Sequence, residues 1–143
     1  MKVSRLFLSL LIPASVVVAA CSNPFSDLFN SPTTPSSSTS STDTFNGSLT
    51  PNGSLVFTFS VATAGSVDVT LTAVSPATTA GLGLGVGPSS SGSCTISNST
   101  SGAVAAGSPQ LSAMETPGAY CVKVSDPGNL TATSAVTVTV AHP

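Results

Sequence analysis

The sequence predicts an all-β protein: a single antiparallel β-sandwich preceded by a signal peptide and a disordered linker. Three observations predict it. Beyond residue 43, apolar residues alternate with polar ones at period two. Clusters of Gly, Pro and Asn break that alternation into short segments. No stretch after the N-terminal segment sustains a helical period. Seven or eight short strands with such punctuation make a sandwich.

Composition points the same way. Only 6% of the residues are charged, and Ser and Thr are plentiful. That suits a hydroxyl-decorated β surface better than a helical protein. About 120 residues follow the N-terminal segment, enough for one domain with a modest core.

Residues 1–20 read as a signal peptide. Lys2 and Arg5 form a short positive region. Leu6 to Val18 is apolar, broken only by Ser9, Pro13 and Ser15, and small residues Ala19 and Ala20 follow. The apolar stretch is shorter than the ~20 residues that span a bilayer, so a cleaved segment is expected rather than a transmembrane helix. Val18-Ala19-Ala20-Cys21 resembles the lipobox of bacterial lipoproteins, with Val at its first position where Leu is commonest. The resemblance implies that Cys21 is the lipidation site. Its sulfur would take a diacylglycerol, the chain would be cut before it, and the new amine would be acylated. Two or three acyl chains hold a protein stably at a membrane, where one does so only marginally. Ordinary secretion, with a cut near Ala20 and a free Cys21 thiol, is the competing reading. Ser22 stands where an Asp would suggest retention in the inner membrane; by resemblance to lipoproteins this favours the outer membrane.

Residues 21–42 follow as the lipidated Cys and a linker. The run from Pro32 to Thr42 is Ser, Thr and Pro alone. It lacks the apolar surface to order itself, and a coil of this length reaches about 25 Å. Phe25, Leu28 and Phe29 are an apolar spot near the anchor, read as incidental to a disordered stalk, with contact to the lipid surface as the alternative.

Residues 43–143 are the expected sandwich. Phe45, Gly47 and Leu49 alternate with polar residues, and Pro51-Asn52-Gly53 turns the chain. Leu55, Phe57, Phe59 and Val61 form the next apolar face, followed by a turn at Ala64-Gly65. Val67, Val69, Leu71 and Ala73 form another. Leu82, Leu84 and Val86 are interleaved with Gly81, Gly83, Gly85 and Gly87. A short segment holds Cys94 and Ile96. Tyr120, Val122 and Val124, then Val136, Val138 and Val140, complete the pattern.

The order Phe-x-Gly-x-Leu, Phe-x-Phe-x-Val, Gly-x-Val-x-Val-x-Leu and Pro117-Gly118-Ala119-Tyr120-Cys121-Val122-Lys123-Val124 resembles the bacterial pre-peptidase C-terminal domain over about residues 43–141. The resemblance implies a jelly-roll-like sandwich of the kind appended to secreted enzymes. This chain carries no protease beside it and adds a cysteine pair.

Three cysteines are an odd number for an exported protein. Lipidation of Cys21 leaves Cys94 and Cys121, which can pair outside the cytoplasm. A bridge between them would stabilise by about 3.5 kcal/mol on the chain-entropy argument. If Tyr120, Val122 and Val124 face the core, Cys121 faces outward with Lys123, and the bridge staples the Gly/Ser loop before Cys94. A free thiol pair or a metal site is the alternative, although metal sites need further ligands.

Other chemistry is thin. His142, the single His, reads as an exposed tail residue. Asp126-Pro127-Gly128-Asn129 has oxygens that suit Ca2+, and is also ordinary turn chemistry. Asp43, Asp68, Glu115 and Asp126 read as solvated charges in turns or on polar faces. No cofactor, metal ligand set or catalytic residue is assigned. A small hydrolase using His142 or Glu115 is the weakest of three function classes. Sugar binding lacks a Trp platform, and Tyr120 sits at core parity. The glycines from Gly81 to Gly87 permit close approach of a backbone or ligand, or mark a plain covered strand. Phosphate cradling lacks the helix and base it needs. Asn46, Asn52, Asn98 and Asn129 match Asn-x-Ser/Thr through turn composition.

Past the signal, Lys123 stands alone against Asp27, Asp43, Asp68, Glu115 and Asp126, a side-chain charge of −4. Nucleic-acid binding and a basic membrane patch are therefore excluded. The expectation is a lipid-anchored, non-enzymatic binding or structural module of the cell envelope. Its partners are the membrane, through Cys21, and an unspecified protein or glycan. An accessory subunit docking on a secreted hydrolase is the alternative.

Overall fold

The alternating segments become strands that cross repeatedly between two sheets. The computed structural model describes residues 39–79 and 81–143. The signal peptide, Cys21 and the linker through residue 38 lie outside the described residues. The strands are β1 (Ser41–Leu49), β2 (Ser54–Val61), β3 (Gly65–Ser75), β4 (Leu82–Ser90), β5 (Ser93–Cys94), β6 (Asn98–Ala103), β7 (Leu111–Glu115), β8 (Gly118–Ser125) and β9 (Ser134–His142). β1-β9-β3-β7 make one sheet and β2-β8-β4-β5 the other, with β6 also paired to β4. Every pairing is antiparallel. Setting aside the two-residue β5, this is the strand order of a jelly-roll sandwich.

Period two sets the core. Leu49, Val67, Val69, Leu71, Val136, Val138 and Val140 face inward from the first sheet. Phe59, Val61, Leu82, Leu84, Val86, Tyr120, Val122 and Val124 meet them from the second. Phe45 stacks on Phe57 at 5.1 Å between ring centres and joins β1 to β2 across the sandwich. β1 starts at Ser41, so Ser41 and Thr42, read as the end of the linker, pair with His142 and Ala141.

The register shifts at two places, between Leu82 and Leu84 where β4 meets β6, and in β3. In β3 Leu71 lies opposite Val138 and Ala73 opposite Thr137, so Thr72 is an extra residue. This bulge turns Ala73 outward and buries Val74, correcting the expected face. Beside it β7 stops pairing, and Gln110 takes over. Its Oε1 accepts the Leu71 N–H at 2.8 Å, and its Nε2 donates to the Val104 carbonyl at 2.8 Å. Two strands escaped the sequence reading. β6 carries almost no apolar residue, and β7 is a five-residue strand.

Candidate functional site

The outward face of β4 is bare backbone. Leu82, Leu84 and Val86 point into the core, so Gly83, Gly85 and Gly87 point out. Opposite them on β8 lie Ser125, Lys123 and Cys121 respectively. Cys94 and Cys121 form a disulfide with Cα atoms 5.8 Å apart.

Beyond Cys94 the chain doubles back over this face as a strap. The Thr95 N–H donates to the Pro88 carbonyl at 3.1 Å and the Ser97 N–H to the Val86 carbonyl at 3.0 Å. The missing glycine side chains permit that approach. A Cβ on Gly87 would overlap the Thr95 carbonyl oxygen, and one on Gly85 would sit 2.9 Å from Ile96 Cγ2. Cys121 therefore lies on the outer face, yet the strap buries it completely. The strand expected at Leu82, Leu84 and Val86 is present and runs on to Ser90, and the bridge fastens the segment after Cys94 rather than the Gly/Ser loop expected before it.

Beside the strap the glycine face stays open. Gly83 and Gly85 floor a trough of about 320 Å³, walled by Ile96, Pro127 and Lys123 and by residues 99–101 of β6, with Ser125 and Ser99 lying opposite the two glycines on the outward face. No carboxylate lines it. Among the described residues the single ion pair is His142–Asp43, so Lys123 faces the trough without a partner of opposite charge.

The remaining polar groups go elsewhere. His142 is buried, not an exposed tail residue: it ends β9 on the core face. Its Nε2 lies 3.1 Å from Asp43 Oδ2, and its ring meets Phe59 at 5.3 Å. Asp43 is thereby paired rather than simply solvated. His142 Nδ1 is buried with no hydrogen-bond partner, so no hydroxyl is held there for activation. Glu115 Oε1 is buried and unpaired as well, again not the solvated charge expected. The Tyr120 hydroxyl lies 3.5 Å from Thr116 Oγ1 in the turn before β8. Asp68 fits the expected polar strand face, accepting hydrogen bonds from Ser66 and Ser112.

Asp126 is buried, which corrects its reading as a solvated charge. Its carboxylate accepts backbone N–H bonds from Asn52 at 2.8 Å, Asn129 at 2.7 Å and Leu130 at 3.1 Å. Burial works to raise its pKa. The N–H groups of Asn52, Asn129, Leu130 and Gly128 outweigh burial and hold it below the ordinary aspartate value. Oxygens surrounded by N–H donors form a turn cap and do not invite Ca2+. Among the described residues, no group of three His, Cys, Asp or Glu side chains is placed to hold a metal ion.

The sequence reading marked these glycines as a place of close backbone or ligand approach but did not place Lys123 and Ser125 beside them, although a signal for that exists. Gly-x-Gly at outward parity, beside a strand whose outward residues are Lys and Ser, marks a floor next to a polar wall. Comparison with known protein families, curated proteins and solved structures finds no match to this chain.

Proposed function

We propose that this chain is a lipid-anchored, non-enzymatic module of the cell envelope, held off the membrane by its Ser/Thr/Pro linker, that binds a ligand in the β4–β8 trough. One observation carries the binding half. The only Lys or Arg side chain beyond the signal, Lys123, lines a serine-rich trough that contains no acid. The anchor half rests on the lipobox-like run ending at Cys21. The non-enzymatic reading is supported by His142, whose Nδ1 is buried with no hydrogen-bond partner.

Two experiments test it. Cys21→Ala should remove the lipid mass increment and release the chain from membranes; continued attachment of that variant would refute the anchor. Affinity capture with the full chain should recover envelope material that Lys123→Met fails to recover. Equal recovery by both proteins would remove the trough from the proposal, and recovery of a secreted hydrolase by both would favour the accessory-subunit reading.

A further inference from the structure

We infer that the trough takes a uronic-acid residue of an acidic glycan; this rests on the trough being the binding site. Charge limits the ligand first. Lys123 is one cation with no acid beside it in the trough, so the complement is a single negative charge. A polyanion such as nucleic acid needs several cations to displace its counterions. An ammonium offers three N–H donors and matches one carboxylate.

The hydrogen-bonding surface narrows the class further. The two floor glycines are paired in the sheet, Gly83 with Ser125 and Gly85 with Lys123 of β8, and Gly85 lies opposite Ser99 of β6, whose register slips between Leu82 and Leu84. A peptide carboxy terminus is captured by free backbone N–H groups, which this floor does not offer. What it offers is serine, with Ser99, Ser101 and Ser125 lining the trough beside Lys123. Hydroxyls donate and accept, as do those of a sugar. Ile96 and Pro127 add aliphatic surface for the C–H face of a ring. The volume of about 320 Å³ lies at the small end of ligand sites, fitting a sugar unit rather than a folded partner.

The test is an amide NMR titration of the full chain in detergent micelles. The probes are trigalacturonate, its methyl ester, and a tripeptide with a free carboxylate. Trigalacturonate should cause saturable shifts at Gly83, Gly85 and Lys123. The methyl ester should bind about tenfold or more weakly, the loss expected for one charge-assisted hydrogen bond. Lys123→Met should lose the response with its spectrum otherwise preserved, and Lys123→Arg should retain it. Absence of saturable shifts with trigalacturonate overturns the uronate inference. Stronger shifts of the same amides by the tripeptide also overturn it, while leaving the trough as the site. Trigalacturonate shifts confined to other surfaces overturn both the inference and the trough.

Discussion

Asp126 accepts the Asn52 backbone N–H at 2.8 Å, joining two turns that lie 74 residues apart. The Asp126 N–H donates back to the Gly53 carbonyl at 3.0 Å. One carboxylate thus bolts the β1–β2 turn to the β8–β9 turn at one end of the sandwich. Because its folded pKa lies below the ordinary value, the ionised form favours the folded state. The contribution is complete above the unfolded aspartate pKa of about 3.9 and is lost as pH falls through the lower folded value. Asp126→Asn should therefore be less stable than wild type at neutral pH. The gap between their urea midpoints should close as the pH drops below about 4. A gap that stays constant down to strongly acid pH would refute this role.

At the opposite end of β1, His142 and Asp43 should contribute unequally. His142 is buried against Phe59, while the Asp43 side chain is 43% exposed. His142→Ala leaves a cavity and should cost about 2–4 kcal/mol. Asp43→Asn loses only a screened pairing and should cost about 1 kcal/mol or less. Chemical denaturation of both variants measures this; equal losses would mean that the ion pair, not the packing, is what matters.

Gly87 should tolerate no side chain. Gly87→Ala puts a methyl group against the Thr95 carbonyl and forces the strap off the sheet. The expected cost is about 1–3 kcal/mol from crowding. Titration of free thiols should also reveal a fraction of molecules without the Cys94–Cys121 bridge. Full bridge formation at unchanged stability would show that the strap can move aside freely.

Reduction of the bridge should loosen the strap before the core. The loop it closes spans 27 residues, worth about 3.5 kcal/mol on the chain-entropy argument. Hydrogen exchange at the Thr95 and Ser97 amides should accelerate on reduction, while Val138, deep in the first sheet, keeps its protection. Uniform acceleration across both sites would indicate global unfolding instead.

Gln110→Ala should destabilise the bulge. The Leu71 N–H then loses its partner, at a cost of about 1–3 kcal/mol. Gln110→Glu keeps the acceptor for Leu71 but loses the donor to Val104, so it should fall between the two. A Glu variant as unstable as the Ala variant would assign the role to the Val104 contact.

Much of the sandwich was legible because alternation is a local property. Phe59, Leu84, Val122 and Val138 declare their inward faces through their immediate neighbours, and Pro51-Asn52-Gly53 declares its turn. The Thr72 bulge was hidden because an extra residue shows itself only against a partner strand. β6 was hidden because its stability comes from pairing with β4, not from its own side chains. The outward face of Cys121 followed from parity, whereas its burial did not, since the strap that covers it arrives from another strand.

The sequence by itself determined that this chain makes a sandwich and, outside the β3 bulge, which residues face inward, and it favoured the bridge between Cys94 and Cys121. Those properties follow from the two-residue period of a strand and from cysteine count. The tertiary structure alone decided where the polar groups meet. Register set Gly83 and Gly85 beside Ser125 and Lys123 to open a trough. It also brought Asp43 to His142 and Asn52 to Asp126. Such meetings depend on which strands become neighbours, and that is settled by packing the whole core, not by any local run of residues.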